Sequence, residues 1–259
     1  MTPPRVLVIA GSDSSGGAGI QADIKTITLL GGYAMTAITA LTSQNTLGVS
    51  GVDPVSPAMV AAQIDACLDD IGIDAVKIGM LGSAALAQLV AERFERLDVP
   101  IVFDPVMVAT SGAVLADAET VAGFERLMAI ATLTTPNVAE LAALGGDEAM
   151  RARGVAYLAK GGDAPGDTVS DVLHRPGGLP FTFSAPRIAT RHTHGTGCTL
   201  ASAIATALGA GAGLIEAIQT ARTFVRAALE AAPGFGSGHG PLGHHAVPFG
   251  TFSPACRTP

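Results

Sequence analysis

Hydrophobic and polar positions along this chain switch repeatedly between two rhythms. RVLVIAG (5–11) is a short continuous apolar run closed by glycine, which predicts a buried strand. After a glycine loop at Gly16–Gly19, Ile20, Ile24, Ile27 and Leu30 recur at helical spacing. AMTAITAL (34–41) predicts a second strand. Ser56-Pro57 then predicts a helix start, serine as cap and proline in the first turn, with Val60, Ile64, Cys67, Leu68 and Ile71 on its apolar face. AVKIGML (75–81) reads as a strand. Ser83 caps a helix that turns Leu86, Leu89, Val90, Phe94 and Leu97 inward, and VPIVFDPV (99–106) is a strand with Asp104 near its C-terminal end. TLTTP (132–136) is a short strand, with a helix starting at Thr135-Pro136, and VAYLAKGG (155–162) is a strand ending in two glycines. TVSDVL (168–173) and FTFSAPRI (181–188) alternate as a hairpin-like pair. THGTGCTLASAIA (193–205) opens a helix from a glycine turn, and a last helix spans about 213–231.

Strands alternating with helices predict a mostly parallel sheet covered on both faces. No linker, tandem repeat or second core interrupts the pattern, so residues 1–259 are expected to form one α/β domain. From Pro233 the chain is a tail rich in Gly, Pro and His, and flexibility is expected for His244 and His245. In such sheets ligands bind beyond the C-terminal strand ends, where Ser12-Asp13, Asp104, Lys160 and the Gly195–Gly197 turn fall.

Composition narrows the function. The net charge is −7 and no basic run occurs, which argues against a nucleic-acid surface. Three widely spaced cysteines, Cys67, Cys198 and Cys256, without a CxxC pair suit free thiols in a reducing compartment, and a cytoplasmic enzyme is expected. The apolar run Val6–Ala10 is too short for a signal-peptide core. Gly195–Ile215 carries no charge for 21 residues, but glycines break its second half and Leu200, Ile204 and Leu208 recur every four positions. That pattern reads as a helix buried in a protein core rather than a membrane span.

Several residues can carry chemistry. Gly195 and Gly197 let backbone approach a ligand, and the helix that follows aims free N–H groups and a positive dipole end at it. The turn is not a Walker A loop, and GSDSSGGAGI lacks the G-x-G-x-x-G spacing of a dinucleotide loop. Cys198 at that helix start is either a thiol whose pKa falls toward neutral or a small buried hydrophobe. Asp104 and Glu140 are candidate magnesium carboxylates, since Mg²⁺ takes few protein ligands; Asp104 and Asn137 otherwise cap turns. Lys160 meets a polyphosphate or is a solvated loop lysine. Gln44-Asn45-Thr46 is a polar turn, or a place where an amide pairs two ways with an aminopyrimidine edge. His192, His194, His239, His244 and His245 lack acidic or cysteine partners at metal-ligand spacing.

Taken in order, IAGSDSSGGAGIQADIKT, ITALTSQNTLGV, KIGMLGS, FDPVMVATSG, TPNVAEL, KGG and THGTGCTLASAIA resemble the hydroxymethylpyrimidine/phosphomethylpyrimidine kinases of the ribokinase-like superfamily, and GHGPLGHH resembles that family's tail. The resemblance implies a ribokinase-like three-layer α/β/α sandwich. It also implies two successive phosphoryl transfers from ATP with Mg²⁺, to 4-amino-5-hydroxymethyl-2-methylpyrimidine and then to its monophosphate, for thiamine diphosphate synthesis. By that resemblance Asp23 and Gln44 bind the pyrimidine, and Gly11, Met80, Val106 and Met107 line its pocket. Asp104 and Glu140 take the metal; Lys160, Asn137, Gly162 and Thr193 serve the nucleotide. Gly195, Thr196 and Gly197 form the anion hole, and Cys198 stands where related sugar kinases carry an aspartate base. A homodimer is implied as well. Some pyridoxal kinases share these motifs, but there the segment after the second strand resembles Met-Asp-Pro. A non-catalytic pyrimidine sensor would be expected to have lost the metal or anion-hole residues, which are present here. Two departures fall on the nucleotide side: Asp163 stands where histidine often follows K-G-G, and the segment around Gly145–Arg153 looks shortened.

Overall fold

The computed structural model describes residues 2–108 and 112–247. Residues 109–111, within the FDPVMVATSG stretch, and Cys256 lie outside the described residues. A single nine-stranded sheet carries the strand order β3-β2-β1-β4-β5-β6-β7-β8-β9. The parallel body comprises β1 (Arg5–Asp13), β2 (Tyr33–Asn45), β4 (Ala75–Ile78), β5 (Ile101–Phe103), β6 (Leu133–Thr134) and β7 (Tyr157–Ala159). Antiparallel strands finish both edges, β3 (Gly48–Pro54) on β2, and β8 (Thr168–His174) with β9 (Phe181–Pro186) beyond β7.

The strand period sorts β1 between two cores. Leu7 and Ile9 enter one with Val60 and Ile64 of α2 (Pro57–Ala66), Val90 and Phe94 of α3 (Ala84–Phe94) and Phe124 of α4 (Ala118–Ile130). Val6, Val8 and Ala10 enter the other with Ile20 and Ile27 of α1 (Gly19–Leu29), Leu200 and Ile204 of α7 (Thr196–Gly209), and Ile218 of α8 (Leu214–Glu230). Burial of β1 on both faces explains why its sequence is a continuous apolar run rather than an alternating one. The result is a three-layer α/β/α sandwich. Among the described residues no helix is long and apolar enough to cross a membrane.

The serine caps form as their sequences predict. Ser56 accepts from Met59 N–H and Ser83 from Leu86 N–H. Three expectations change. The helix predicted from Thr135-Pro136 starts later, as α5 (Val138–Ala143), because Asn137 and Glu140 close a reciprocal capping box, and a short α6 (Gly146–Ala152) follows it. Leu97 and Ile71 do not turn fully inward; both are exposed, lying past the α3 end and at the close of a π-turn (Cys67–Ile71) that follows α2. The tail is packed as far as Val247: Leu242 and Val247 bury against Phe224 and Ala228 of α8. His244 is buried with them, its Nε2 2.9 Å from Thr199 Oγ1, so the flexibility expected of it is not found. Burial drives the His244 pKa down to about 4, which keeps that ring neutral.

Candidate active site

Chain order reverses direction across the sheet at β1 and β4, a topological switch point. A cavity of about 610 Å³ opens there, at the C-terminal strand ends. Gly11 and Asp13 reach it from β1, Gln44 from β2, Met80 from beyond β4, and Asp104 with Val106 from beyond β5. Asn137, Glu140, Lys160, Gly162 and Thr193 line its far side, and Gly195–Cys198 form its floor.

The floor is a helix start built around one strained glycine. Gly195 has φ +89°, and a Cβ there would collide with the carbonyl oxygen of Gly17. Only glycine lets the two loops pack together at this point. Thr196 N–H bonds back to Thr193 O (3.2 Å); among the described residues the Gly197 and Cys198 N–H groups find no acceptor, and both residues line the cavity. Free N–H groups at a helix N-terminus are an anion site.

Opposed charges crowd beside this turn. Asp104 Oδ1 accepts from Lys160 Nζ (2.8 Å) and from Thr135 Oγ1 (2.9 Å). Lys160 Nζ lies 3.8 Å from Glu140 Oε2, which accepts the Asn137 N–H (2.8 Å). Were Gly197 to carry a Cβ, it would stand 3.3 Å from Asp104 Oδ2 and 3.4 Å from Lys160 Nζ, so the anion turn and this cluster are in contact. Burial works against the Asp104 charge, but Lys160 and Lys77 outweigh it and hold the carboxyl below its usual range. For Glu140 burial wins with help from Asp104 against Lys160, and its pKa rises to about 7. One ammonium is thus shared by two carboxylates, and Glu140 lacks a full counter-charge.

Cys198 sits half-buried where α7 and α1 start side by side. The Gly19 N–H points at its sulfur, yet burial, with Asp23 and Asp104, overrides Lys77 and this N–H and pushes the thiol up to about 11. The fall toward neutrality expected from the helix start therefore does not occur. Beneath it lies a pair that sequence reasoning missed. Lys77 and Asp23 are each fully buried, and Lys77 Nζ donates to both Asp23 oxygens (3.0 and 2.9 Å). Ser202, one turn after Cys198 on α7, donates to Asp23 Oδ1 (2.7 Å). Burial disfavours the Lys77 charge, but Asp23 outweighs it and raises the lysine pKa above its ordinary value.

Most of the predicted residues therefore meet in one cavity. Asp23 and Met107 do not line it. Asp23 is fully buried in its pair with Lys77, and Met107 is packed in the hydrophobic core on the α3 and α4 side. His194, singled out by sequence only as a histidine without metal partners, is buried at the cavity wall, with Nε2 2.8 Å from Asp13 Oδ2. Pairings such as Asp23 with Lys77 and Asp13 with His194 span 54 and 181 positions, and no local signal marks them. Among the described residues no group of three His, Cys, Asp or Glu side chains forms a metal cage.

A switch-point cavity with an anion-binding helix start, a buried lysine and two carboxylates defines a phosphotransferase acting on a small molecule. The model of the phosphomethylpyrimidine kinase family matches residues 13–243, and the chain belongs to that family. It is 45% identical over 258 residues to a hydroxymethylpyrimidine/phosphomethylpyrimidine kinase of Streptomyces coelicolor, covering 94% of this chain and 95% of that one. Among solved structures, an ADP complex of Bacillus subtilis pyridoxal kinase matches with a TM-score of 0.86 and 34% identity, covering 95% of this chain and 98% of that one. A phosphomethylpyrimidine kinase from Clostridium difficile matches with a TM-score of 0.73 and 34% identity, covering 86% and 98%.

Proposed function

We propose that this chain transfers the terminal phosphoryl group of ATP to the hydroxymethyl oxygen of 4-amino-5-hydroxymethyl-2-methylpyrimidine, and then a second one to the resulting monophosphate, in thiamine diphosphate synthesis. The observation that carries the reading is a single cavity with Gln44 on one wall and the free Gly197 and Cys198 N–H groups beside Lys160 on its floor. Phosphoryl transfer needs positioning and charge neutralisation more than covalent help. Gln44 pairs with the aminopyrimidine edge, while Gly11, Met80 and Val106 enclose the ring and point its CH₂OH at Cys198. The Gly195–Cys198 turn holds the transferring oxygens as charge develops on them. Lys160 neutralises the leaving diphosphate, and Asn137, Gly162 and Thr193 border the nucleotide. Cys198 accepts the alcohol proton.

The donor set suits Mg²⁺. Among the described residues no hydrogen bond reaches Asp104 Oδ2 or Glu140 Oε1, both residues line the cavity, and burial together with Asp104 raises the Glu140 pKa to about 7. Two hard oxygen ligands without a complete cage fit an ion that keeps waters and substrate phosphates. Held by Asp104 and Glu140, magnesium would neutralise the phosphate charge. A cytoplasmic homodimer completes the proposal. Leu41, exposed on the β2–β3 hairpin, and Leu47, exposed at its turn, offer apolar surface to a second copy.

The deciding assay measures ATP consumption with the aminopyrimidine alcohol, with its monophosphate, with pyridoxal, and without acceptor. Turnover with both pyrimidines, exceeding that with pyridoxal, is expected. Preference for pyridoxal would move the chain to the activity named for its Bacillus subtilis structural neighbour. Tight pyrimidine binding without turnover would make it a sensor.

A further inference from the structure

One contact at the pyrimidine wall is chemically unsatisfactory as it first appears, and resolving it assigns a role to a histidine. Asp13 accepts from Ser15 N (2.8 Å), Ser15 Oγ (2.8 Å), Gly17 N (3.1 Å) and Ala18 N (2.8 Å). A carboxylate with that many donors is ionised and can only accept. His194 Nε2, 2.8 Å from Asp13 Oδ2, must therefore carry the proton, whatever the state of the other ring nitrogen.

Gln44 Nε2 lies 3.3 Å from the same His194 Nε2, which would set two N–H groups against each other. The other end has a matching conflict. Thr42 Oγ1 is 3.3 Å from Gln44 Oε1, yet its single hydrogen is already directed to Ser12 O at 2.9 Å. Exchanging the amide ends removes both conflicts at once. The oxygen then shares the His194 Nε2–H with Asp13 Oδ2 in a three-centre bond, and the NH₂ group donates to the free lone pair of Thr42 Oγ1.

We infer that His194, anchored by Asp13, orients the Gln44 amide with Oε1 toward the imidazole Nε2–H and Nε2 toward Thr42, and so fixes the order of acceptor and donor that the cavity shows to its substrate. One lone pair of Oε1 and one N–H of Gln44 remain for the ligand. They match a ring nitrogen flanked by an exocyclic amine, in one orientation only. A ring without the amine leaves the amide half-paired, and unpaired buried polar groups are what such sites use to reject analogues. His194 is thus a positioning residue for specificity, acting through Gln44. This inference rests on the aminopyrimidine being the substrate.

The first test needs no variant. In the ¹⁵N imidazole spectrum of the wild-type chain, Nε2 of His194 is expected to carry a proton; an unprotonated Nε2 would overturn the assignment. The second is a double-mutant cycle in the ATP-consumption assay. His194→Phe is expected to raise KM for the aminopyrimidine alcohol about tenfold, the worth of roughly one hydrogen bond, while KM for ATP changes less than about twofold. The preference for the aminopyrimidine over pyridoxal should shrink by a similar factor. In a Gln44→Ala background the same substitution should add nothing to KM. His194→Gln, which keeps an N–H of similar reach, should recover most of the loss. Equal effects of His194→Phe with and without Gln44 would refute action through the amide. Absence of aminopyrimidine turnover in the wild type would refute the proposed substrate instead, and the spectrum would still decide the tautomer.

Discussion

The high pKa of Cys198 makes the two phosphorylations separable by pH. A thiol with a pKa of about 11 is thiolate in roughly one molecule in ten thousand at pH 7. If the alcohol of the first substrate must give its proton to that thiolate, the first transfer should speed up about tenfold per pH unit between pH 7 and 9, roughly a hundredfold in all. The second transfer starts from a phosphate that is already ionised, whose second pKa is about 6, so its rate should be nearly flat over the same range. Cys198→Ala removes the proton acceptor and should cut the first transfer by ~10²–10⁴-fold, the usual worth of a general base. It should also abolish the slope while leaving the second transfer within a few-fold. Rapid-quench single-turnover measurements with each pyrimidine, at saturating ATP and magnesium, separate the chemical steps from product release. A flat first-step profile in the wild type, or equal losses in both steps for Cys198→Ala, would refute the base role and leave the thiol as packing for the α1–α7 junction.

Three further outcomes follow from the same geometry. Lys77→Met strands the Asp23 carboxylate at zero exposure and should cost about 3–5 kcal/mol, lowering Tm by roughly 6–20 °C, with much of the loss recovered by adding Asp23→Asn; calorimetry reads both, and an unchanged Tm would contradict an ionised pair. Glu140 has a folded pKa near 7, above its ordinary 4.5, so any stability it contributes is present below pH 4.5 and lost as pH rises through 7; the deprotonated form that a cation needs grows over the same window. Binding of Mg–ATP, followed by titration calorimetry, should therefore strengthen about tenfold from pH 6 to pH 8, and Glu140→Gln should remove that dependence. Gly195→Ala forces φ +89° on a residue with a Cβ, at ~1–2 kcal/mol, and drives that Cβ into the Gly17 carbonyl. The displaced turn should lose about 10²-fold in kcat with circular dichroism unchanged.

The parts of the molecule legible in the sequence are those whose cause is local. The two-sided burial of β1 shows as an unbroken apolar run, the α2 and α3 caps as Ser56-Pro57 and Ser83, and the β8–β9 pair as two alternating stretches. β3 was not legible, because GVSGVDP has little strand character of its own and exists by pairing with β2. α4 carries a usable local signal, Asp117 as cap and Phe124, Leu127 and Met128 at helical spacing, although no element is predicted there. Within the site, Gly195–Cys198, Asp104, Glu140 and Lys160 each sit where a strand ends or a helix starts. The family resemblance alone assigns Asp23 to the pyrimidine; its salt-bridge partner, Lys77, is a strand residue 54 positions away that no local pattern links to it. His244 misled because a Gly- and His-rich tail looks solvated until the Thr199 hydroxyl and the Phe224 side chain are seen to receive it.

The scarcity of lysine explains how the site's electrostatics are distributed. The chain has three lysines against a net charge of −7, and all three are tied to the two helix starts that meet at Cys198 or to the carboxylate beside them. Lys25 Nζ donates to Gly16 O (2.6 Å) in the loop that leads into α1. Lys77 neutralises Asp23 between α1 and α7, and Lys160 neutralises Asp104 beside the anion turn. Two of the three ammonium groups are thus already paired with carboxylates; of the arginines lining the cavity, Arg222 pairs with Asp171 and Arg226 with Glu230, while Arg187 donates to backbone carbonyls and keeps its charge. Beside the Arg187 guanidinium, the site offers backbone N–H groups at a helix start and two carboxylate oxygens that no hydrogen bond reaches among the described residues. An ATP-binding site built this way needs a divalent cation to admit its substrate. Nucleotide affinity should therefore collapse on chelation with EDTA far more than on neutralising Lys160 alone, and calorimetry of ATP binding with and without magnesium, in the wild type and in Lys160→Met, separates the two contributions. A larger loss from Lys160→Met than from EDTA would show that the lysine, and not the cation, carries the phosphate charge.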